Sequence, residues 1–381
     1  MKNIYYILGF LFNFNYIITS IGISLSGYSI VYLLILVILI IKSRLVVYKS
    51  NNNLYLIILL ISFFYCISFI YSTQHDYSKY KFFMFFIKLL PLIVLPYFLK
   101  LNILKFMKGY FLSLSLVLVL IFIKTFFMQD ISVNNRLIIG DMNPIWISRI
   151  VLETLLLALL IFNKKKIWLF MIIPVAYIIF LSGSKGPLLS FIIVVGFYYF
   201  NNIKSNRDKF RAFLLLTGLS ILMIYIIINL DVNSYIYQRF LLPVPDNVSE
   251  VMYESSRVVV WPETVSKISN SNVSNLLFGN GIGSFGNFYH GGSLNSDREY
   301  PHNILLELIV EQGVVFLILF IITIIITIKY KNNFKYVLIF YLLNACFSGD
   351  ILNNEKIFLY IGLVNAYNLY FYHQKRRKLI I

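Results

Sequence analysis

The sequence predicts an all-α polytopic membrane protein, and three observations support this class. Of the 381 residues, 59% are hydrophobic and only 13% are charged, and the mean hydropathy is +0.80. About a quarter of the residues in ordinary soluble domains are charged. Apolar runs of roughly 17–25 residues recur along the chain, which is the length that a bilayer core about 30 Å thick requires of a helix. The short alternating segments typical of a membrane β-barrel do not occur.

About twelve apolar runs are candidate transmembrane helices within a single integral membrane domain, residues 1–381. They cover residues 4–19, 23–41, 54–71, 82–99, 109–128, 144–162, 167–183, 187–201, 212–230, 303–328, 336–349 and 357–373. The first run is interpreted as a retained helix, because no small-residue cleavage site precedes the second run. The two cysteines, Cys66 and Cys346, lie inside apolar runs and therefore indicate neither a disulfide framework nor a CxxC pair.

The lysines and arginines predict the orientation of the chain. When the links between spans are numbered alternately from the N-terminus, 21 of the 33 cations fall in one set, opposed only by Asp208, and 9 fall in the other. This asymmetry follows the positive-inside rule, so we expect both termini in the cytoplasm and residues 231–302 as one large loop outside. The net charge of +17 is then a topology signal, and we expect no nucleic-acid partner.

The polar segment 231–313 is where we expect the function to lie. It crosses a glycine-rich patch and closes on Tyr300-Pro301-His302-Asn303, after which the chain turns apolar as far as Ile328. A histidine at such a boundary is either an interfacial polar tip or a catalytic group. Glu307 and Glu311 follow it near the start of the predicted helix, where the helix dipole favours acids.

Two polar places precede this segment on the predicted external side. Residues 129–149 include Arg136 and end at Arg149, which lies four positions before Glu153 in the predicted next span. The last two side chains share a helix face, either as a structural ion pair or as the lining of a polar cavity. Lys185 lies in a predicted tight turn with glycines on both sides, where it is either solvated or a phosphate contact.

A third polar place is residues 250–268, whose pattern predicts an amphipathic helix along the membrane surface. Arg257 on this helix either contacts lipid headgroups or grips an anionic ligand through its bidentate guanidinium. No metal site is predicted, because the four histidines are scattered and no HExxH motif occurs. P-loop and GxSxG motifs are also absent from the sequence, which weakens nucleotide-driven transport and hydrolase interpretations.

These motifs resemble those of the O-antigen polymerase and O-antigen ligase superfamily of bacterial surface-polysaccharide assembly. Residues 300–308, read as Tyr-Pro-His-Asn-Ile-Leu-Leu-Glu-Leu and followed by Gln312-Gly313, are similar to the family's stretch at the end of its large periplasmic loop. Arg257 with Trp261, then the Gly-x-Gly order of residues 277–283, is similar to the upstream part. Residues 181–186 are similar to the family's Ser-Arg-Gly turn, with Lys185 in place of arginine.

The resemblance implies a GT-C-like fold and an inner-membrane enzyme whose active site faces the periplasm. Such an enzyme takes a glycan from undecaprenyl pyrophosphate and passes it to a sugar hydroxyl with inversion, using no metal or other cofactor. Carried over, Arg257 and Lys185 would hold the pyrophosphate and His302 would deprotonate the acceptor. The resemblance also implies supporting roles for Asn303, Glu307 and Asp350, and makes Arg136 and Arg149 candidates for further donor contacts.

The remaining choice is between a polymerase, which passes the chain to another lipid-linked unit, and a ligase, which passes it to lipid A–core. The compositional bias and the lack of a ligase-specific signature favour a polymerase. A polysaccharide flippase would also have about twelve spans, but that class does not predict a large loop ending in a helix-capping histidine. The expected partners are the lipid-linked glycan donor and acceptor, membrane lipid and a chain-length regulator.

Overall fold

The computed structural model describes residues 3–21, 29–42, 52–72, 75–99, 102–127, 137–162, 167–202, 257–291 and 299–378, and its regular secondary structure in these ranges is helical. They contain no strand, only an isolated bridge between Ile139 and Met142. The predicted all-α class is therefore confirmed. Arg136, the predicted span 212–230 and two parts of the predicted loop, residues 231–256 and 292–298, lie outside the described residues.

The helices of the described ranges, in chain order, are α1 Ile4–Phe12, α2 Phe14–Ile21, α3 Ser29–Lys42, α4 Asn52–Ile70, α5 His75–Met84, α6 Leu90–Leu99, α7 Ile103–Phe127, α8 Pro144–Leu156, α9 Ile167–Ser182, α10 Lys185–Asn202, α11 Arg257–Ser269, α12 Val273–Phe278, α13 Phe285–Tyr289, α14 Ile304–Ile328, α15 Phe334–Phe347 and α16 Lys356–Lys378. A π-helical turn over Phe85–Leu89 joins α5 to α6, and another over Leu157–Ile161 extends α8.

Four of these helical stretches are long and apolar enough to cross a membrane. They cover Asp76–Leu99, Ile103–Phe127, Pro144–Ile161 and Ile304–Ile328, and the pair α1 and α2, bent by 45°, makes a fifth if it forms one broken span. Shorter apolar helices occupy Ile58–Ile70, Phe170–Ser182 and Phe334–Phe347. The first two lie within predicted spans, and the third begins two residues before the span predicted over 336–349. The protein is thus an integral membrane protein, and the total of about twelve spans stays a prediction.

One compact unit is formed by residues 1–28 and 104–247. Within it, α1 and α7 pack backbone against backbone through two glycines. A Cβ atom on Gly9 would lie 2.0 Å from the carbonyl oxygen of Phe106, and one on Gly109 would lie 1.9 Å from that of Tyr6. Small residues permit this close approach in membranes, where van der Waals packing drives helix association.

The other compact unit is formed by residues 29–103 and 248–381. In it α6 packs closely on α16, because a Cβ atom on Gly362 would lie 2.3 Å from the carbonyl oxygen of Ile93. Helices α4, α12 and α15 pack on α14, which is the element that leads out of the Pro301-His302-Asn303 junction. This unit contains the candidate functional site described below.

Helix α14 is broken at Gly313, although the sequence predicts an uninterrupted apolar run over residues 303–328. Gly313 has φ 81° and ψ 172°, far from helical values. A break in a helix leaves backbone carbonyls without their usual partners, and inside a membrane protein these need replacement donors. The replacement donors come from the glycine-rich segment of residues 278–283.

Candidate functional site

The glycine loop, residues 278–283, caps the broken turn of α14. The amide nitrogen of Asn280 donates to the carbonyl oxygen of Val310 at 2.8 Å, and that of Gly281 donates to the carbonyl oxygen of Glu311 at 2.9 Å. A Cβ atom on Gly279 would lie 2.4 Å from the carbonyl oxygen of Glu311. The Gly-x-Gly pattern thus has a structural cause, because only glycine lets the two backbones approach so closely.

Two serines bond the other side of the glycine loop, and a third bonds the carbonyl of Glu311 that the loop caps. The hydroxyls of Ser72 and Ser78 donate to the carbonyl oxygen of Ile282 at 2.7 and 2.5 Å, and the hydroxyl of Ser68 donates to the carbonyl oxygen of Glu311 at 3.2 Å. The loop is therefore fixed between α14 and the segment that joins α4 to α5. It supports α14 at Val310 and Glu311, eight and nine residues after His302.

His302 lies in a constrained turn before α14. Its φ of 55° is the one left-handed value among the described non-glycine residues. The preceding carbonyl, that of Pro301, accepts a hydrogen bond from Nε1 of Trp261 at 2.8 Å, and the ring of Tyr300 meets the imidazole nearly edge-on at 4.5 Å. Left-handed backbone at a non-glycine residue costs on the order of 1–3 kcal/mol, so the surrounding contacts must stabilise it.

Asn303 begins α14 as its N-cap. Its side-chain oxygen accepts from the amide nitrogens of Leu305 at 3.0 Å and Leu306 at 3.4 Å. The cap fixes where the helix starts and thereby the position of His302 one residue earlier. The supporting role predicted for Asn303 thus corresponds to a structural contact, whereas its effect on activity stays a prediction.

The imidazole of His302 is biased toward its neutral form. Burial lowers its pKa below the ordinary value of 6.5, the positive charge of Arg257 lowers it further, and the negative charge of Asp350 opposes both. Nδ1 is buried and makes no hydrogen bond with any residue that the structure describes. A half-buried, neutral imidazole with an unused ring nitrogen is a competent general base near neutral pH.

Arg257 and Asp350, whose charges act on this histidine, belong to two other elements of the fold. Arg257 is the first residue of α11 and its side chain is exposed. Asp350 is fully buried in the turn of residues 348–355, where its carboxylate accepts from the hydroxyl of Tyr77 and from the amide of Asn353, each at 2.9 Å. The fold therefore brings Arg257 and Asp350, both predicted site residues, close enough to His302 for their charges to act on its pKa.

Glu307 belongs to a buried ionic cluster that the sequence analysis missed. Lys81 of α5 forms ion pairs with Glu307 and with Glu311, the latter at 2.6 Å. All three side chains are at most 1% exposed. The sequence signal was weak because Lys81 lies at the edge of a predicted span, where it counts as an ordinary flanking cation.

Two other predicted donor contacts, Lys185 and Arg149, lie in the unit of residues 1–28 and 104–247. Lys185 is the exposed first residue of α10, directly after a turn whose Ser182 hydroxyl pairs with that of Ser148 at 2.7 Å. Arg149 and Glu153 are both buried in α8, and the hydroxyl of Tyr110 donates to Glu153 at 2.6 Å. Their predicted roles toward a donor stay predictions.

The described ranges contain no group of three or more histidine, cysteine, aspartate or glutamate side chains that could hold a metal ion. The cationic groups that the structure places at the histidine junction and beneath it are Arg257 and Lys81. An exposed guanidinium can stabilise a leaving anion, and a neutral imidazole can accept a proton from a hydroxyl. The arrangement therefore suits transfer of a group from an anionic donor to an alcohol.

Comparison with known families shows what part of the chain is similar to other proteins. Residues 169–321 match a family model described as O-antigen ligase. The matched segment includes Lys185, Arg257, His302, Asn303 and Glu307, and ends before Asp350. No curated protein and no solved structure matches the chain significantly.

The match confirms the predicted relationship to the O-antigen polymerase and ligase superfamily. The similarity covers residues 169–321 of the chain, and the members of that family are membrane enzymes of the glycosyltransferase type.

Proposed function

We propose that this protein is a surface-polysaccharide polymerase. It transfers a glycan from undecaprenyl pyrophosphate to a sugar hydroxyl of another lipid-linked repeat unit, with inversion at the anomeric carbon. The observation that carries the proposal is His302, a half-buried imidazole held at the mouth of a membrane helix, with its pKa below 6.5 and Arg257 nearby.

In the proposed reaction, the acceptor hydroxyl attacks the anomeric carbon while the bond to the pyrophosphate oxygen breaks. His302 takes the hydroxyl proton and the pyrophosphate leaves with the bonding electron pair. Arg257 stabilises the negative charge that grows on the leaving group. Asp350 stabilises the imidazolium that forms, because its charge favours the protonated ring. No metal ion takes part in these steps.

The proposed location is the bacterial inner membrane, with both termini in the cytoplasm and the site facing the periplasm. The distribution of the 33 lysines and arginines supports this orientation through the positive-inside rule. Lys185, Arg149 and Arg136 are proposed as further contacts to the anionic donor, each to be tested by its own substitution to glutamine.

A ligase that transfers the glycan to lipid A–core is the second candidate, and the description of the matched family favours it. Both candidates share a donor and the chemistry of His302, and they differ only in the acceptor. A flippase is the third candidate and would transfer nothing.

Reconstitution separates the three candidates. The purified protein is placed in vesicles with undecaprenyl-pyrophosphate-linked repeat units, and the lipid-linked products are separated on a gel. A ladder of longer chains is expected and would establish a polymerase. Product that needs added lipid A–core would indicate a ligase, and no transfer beside an active control enzyme would refute both. His302→Ala, at equal amounts of folded protein, should give no ladder.

A further inference from the structure

A closed ring of buried polar contacts lies beneath the histidine junction and joins three distant segments. Lys81 bonds Glu307, whose Oε2 accepts from the amide nitrogen of Ile351 at 2.9 Å. The neighbouring Asp350 accepts from Tyr77 at 2.9 Å. Tyr77 and Lys81 are both on α5, one helical turn apart, so the ring closes on the element where it began.

The members of this ring are shielded from water. Tyr77 is 7% exposed, Lys81 and Asp350 are 0% exposed, and Glu307 is 1% exposed. Removing one partner of a buried ion pair is strongly destabilising, because the other charge stays uncompensated. Lys81 thus holds the first turn of α14 in place by supplying the positive charge that Glu307 needs.

The ring is linked to His302 at two points. His302 precedes α14 by two residues, so the orientation of the first helical turn sets the position of the imidazole. Asp350, whose carboxylate acts electrostatically on His302, is held in its turn by Tyr77 and by the contact of Ile351 with Glu307. A displacement of the ring would therefore move both the base and its counter-charge.

We propose that Lys81 is a positioning residue for the transfer reaction, which acts on His302 through Glu307 and the turn of residues 348–355. Nothing in the resemblance or in the family match assigns a role to Lys81, which lies well outside residues 169–321. The inference rests on the proposed function, since the activity to be positioned is the glycan transfer of His302.

Two neighbouring glutamates provide a matched pair of variants. Glu307 and Glu311 lie one turn apart on α14, both are 1% exposed and both pair with Lys81. Glu307→Gln and Glu311→Gln therefore remove the same charge at the same depth. Only Glu307 also bonds the amide of Ile351, so only its substitution separates Lys81 from the turn that contains Asp350.

We expect Glu307→Gln to lower kcat on the order of 100-fold with little change in the KM for the lipid-linked donor, the size of effect that a misplacement of about 1 Å produces. Glu311→Gln should lower kcat by less than about tenfold. The acidic limb of the pH profile should move to lower pH in Glu307→Gln, because Asp350, once displaced, raises the pKa of the imidazole less, while burial and Arg257 still lower it. Glu311→Gln should leave the limb in place.

Lys81→Met combined with Glu311→Gln tests the lysine itself, because the double variant keeps the formal charge of the cluster. Its kcat should be as low as that of Glu307→Gln. Wild-type transfer by the double variant would overturn the inference, and so would equal losses of kcat in the two glutamine variants. In either case an inactive His302→Ala variant would show that the proposed function still holds. If the double variant does not fold, the glutamine pair alone decides. Absence of transfer by the wild-type protein beside an active control enzyme would refute the proposed function, and the inference with it.

Discussion

Gly313 and Leu277 meet backbone to backbone at the break in helix α14. A Cβ atom on Gly313 would lie 2.2 Å from the carbonyl oxygen of Leu277, and its φ of 81° falls where side chains are rarely tolerated. The last residues of α12 thus occupy the space that a side chain at Gly313 would take. The break, and with it the direction of the nine residues after Asn303, depends on the absence of that side chain.

Gly313→Ala should therefore destabilise the protein by more than about 3 kcal/mol, since a backbone penalty of about 1–3 kcal/mol adds to the steric overlap. Thermal unfolding in detergent, followed by fluorescence-detected size-exclusion chromatography, measures the effect. Gly291→Ala is the matched control, because Gly291 also has a positive φ, 67°, but no described atom lies within 4 Å of its Cβ position. Equal losses in both variants would show that steric overlap contributes nothing.

The sequence predicted the class of fold and the place of the site because composition and charge act locally. Apolar runs of sufficient length predict helices wherever they occur in the sequence. The change from polar to apolar residues after Asn303 therefore predicts the start of α14. The apolar span predicted over residues 303–328 corresponds to α14, but the break at Gly313 was not predicted. The glycine alone does not reveal a break, because glycine is tolerated in membrane helices when neighbouring groups satisfy the freed carbonyls.

Lys81 could not be found in this way, because its partner Glu307 is 226 positions away in the sequence. No local pattern pairs a lysine at the edge of one span with acids at the start of another. The same limit applies to Asp350, whose hydrogen bond from Tyr77 spans 273 positions. Contacts of this length depend on how the helices pack, which a single sequence does not report.

Asn303→Ala should remove the cap of α14 and cost about 0.5–2 kcal/mol of stability. It should also reduce transfer, because His302 directly precedes the cap and loses its fixed position. Asn303→Ser keeps a side-chain oxygen for the amide of Leu305 and should restore most of both properties. Thermal unfolding and the rate of ladder formation are the two readouts. A serine variant as impaired as the alanine variant would contradict the capping role.

Trp261→Phe should disturb His302 through the preceding residue, Pro301. The substitution removes the hydrogen bond from Nε1 to the carbonyl of Pro301, worth about 0.5–1.5 kcal/mol, and leaves a buried carbonyl without that donor. We expect a lower kcat with a small loss of thermal stability. Trp146→Phe is the control, because the indole of Trp146 makes no hydrogen bond with the residues that the structure describes. Unchanged transfer in Trp261→Phe would show that this bond does not position the histidine.

The pH dependence of transfer should report the two charges that act on His302. A general base must be neutral, so activity is lost as the pH falls through the pKa of the imidazole. That pKa lies below 6.5 because of burial and then of Arg257, and Asp350 raises it. Arg257→Gln should therefore move the acidic limb of kcat/KM to higher pH, and Asp350→Asn should move it to lower pH.

Initial rates measured between about pH 5 and pH 8, the range in which histidine titrates, give the acidic limb for the wild-type protein and for each variant. The variants must be compared at equal amounts of folded protein, since both substitutions also lower the absolute rate. Opposite shifts in the two variants are the result expected of His302 as the titrating base, because removing the positive charge of Arg257 raises its pKa and removing the negative charge of Asp350 lowers it. Shifts in the same direction, or a limb that neither substitution moves, would assign the titration to another group and remove the main support for His302 as the base.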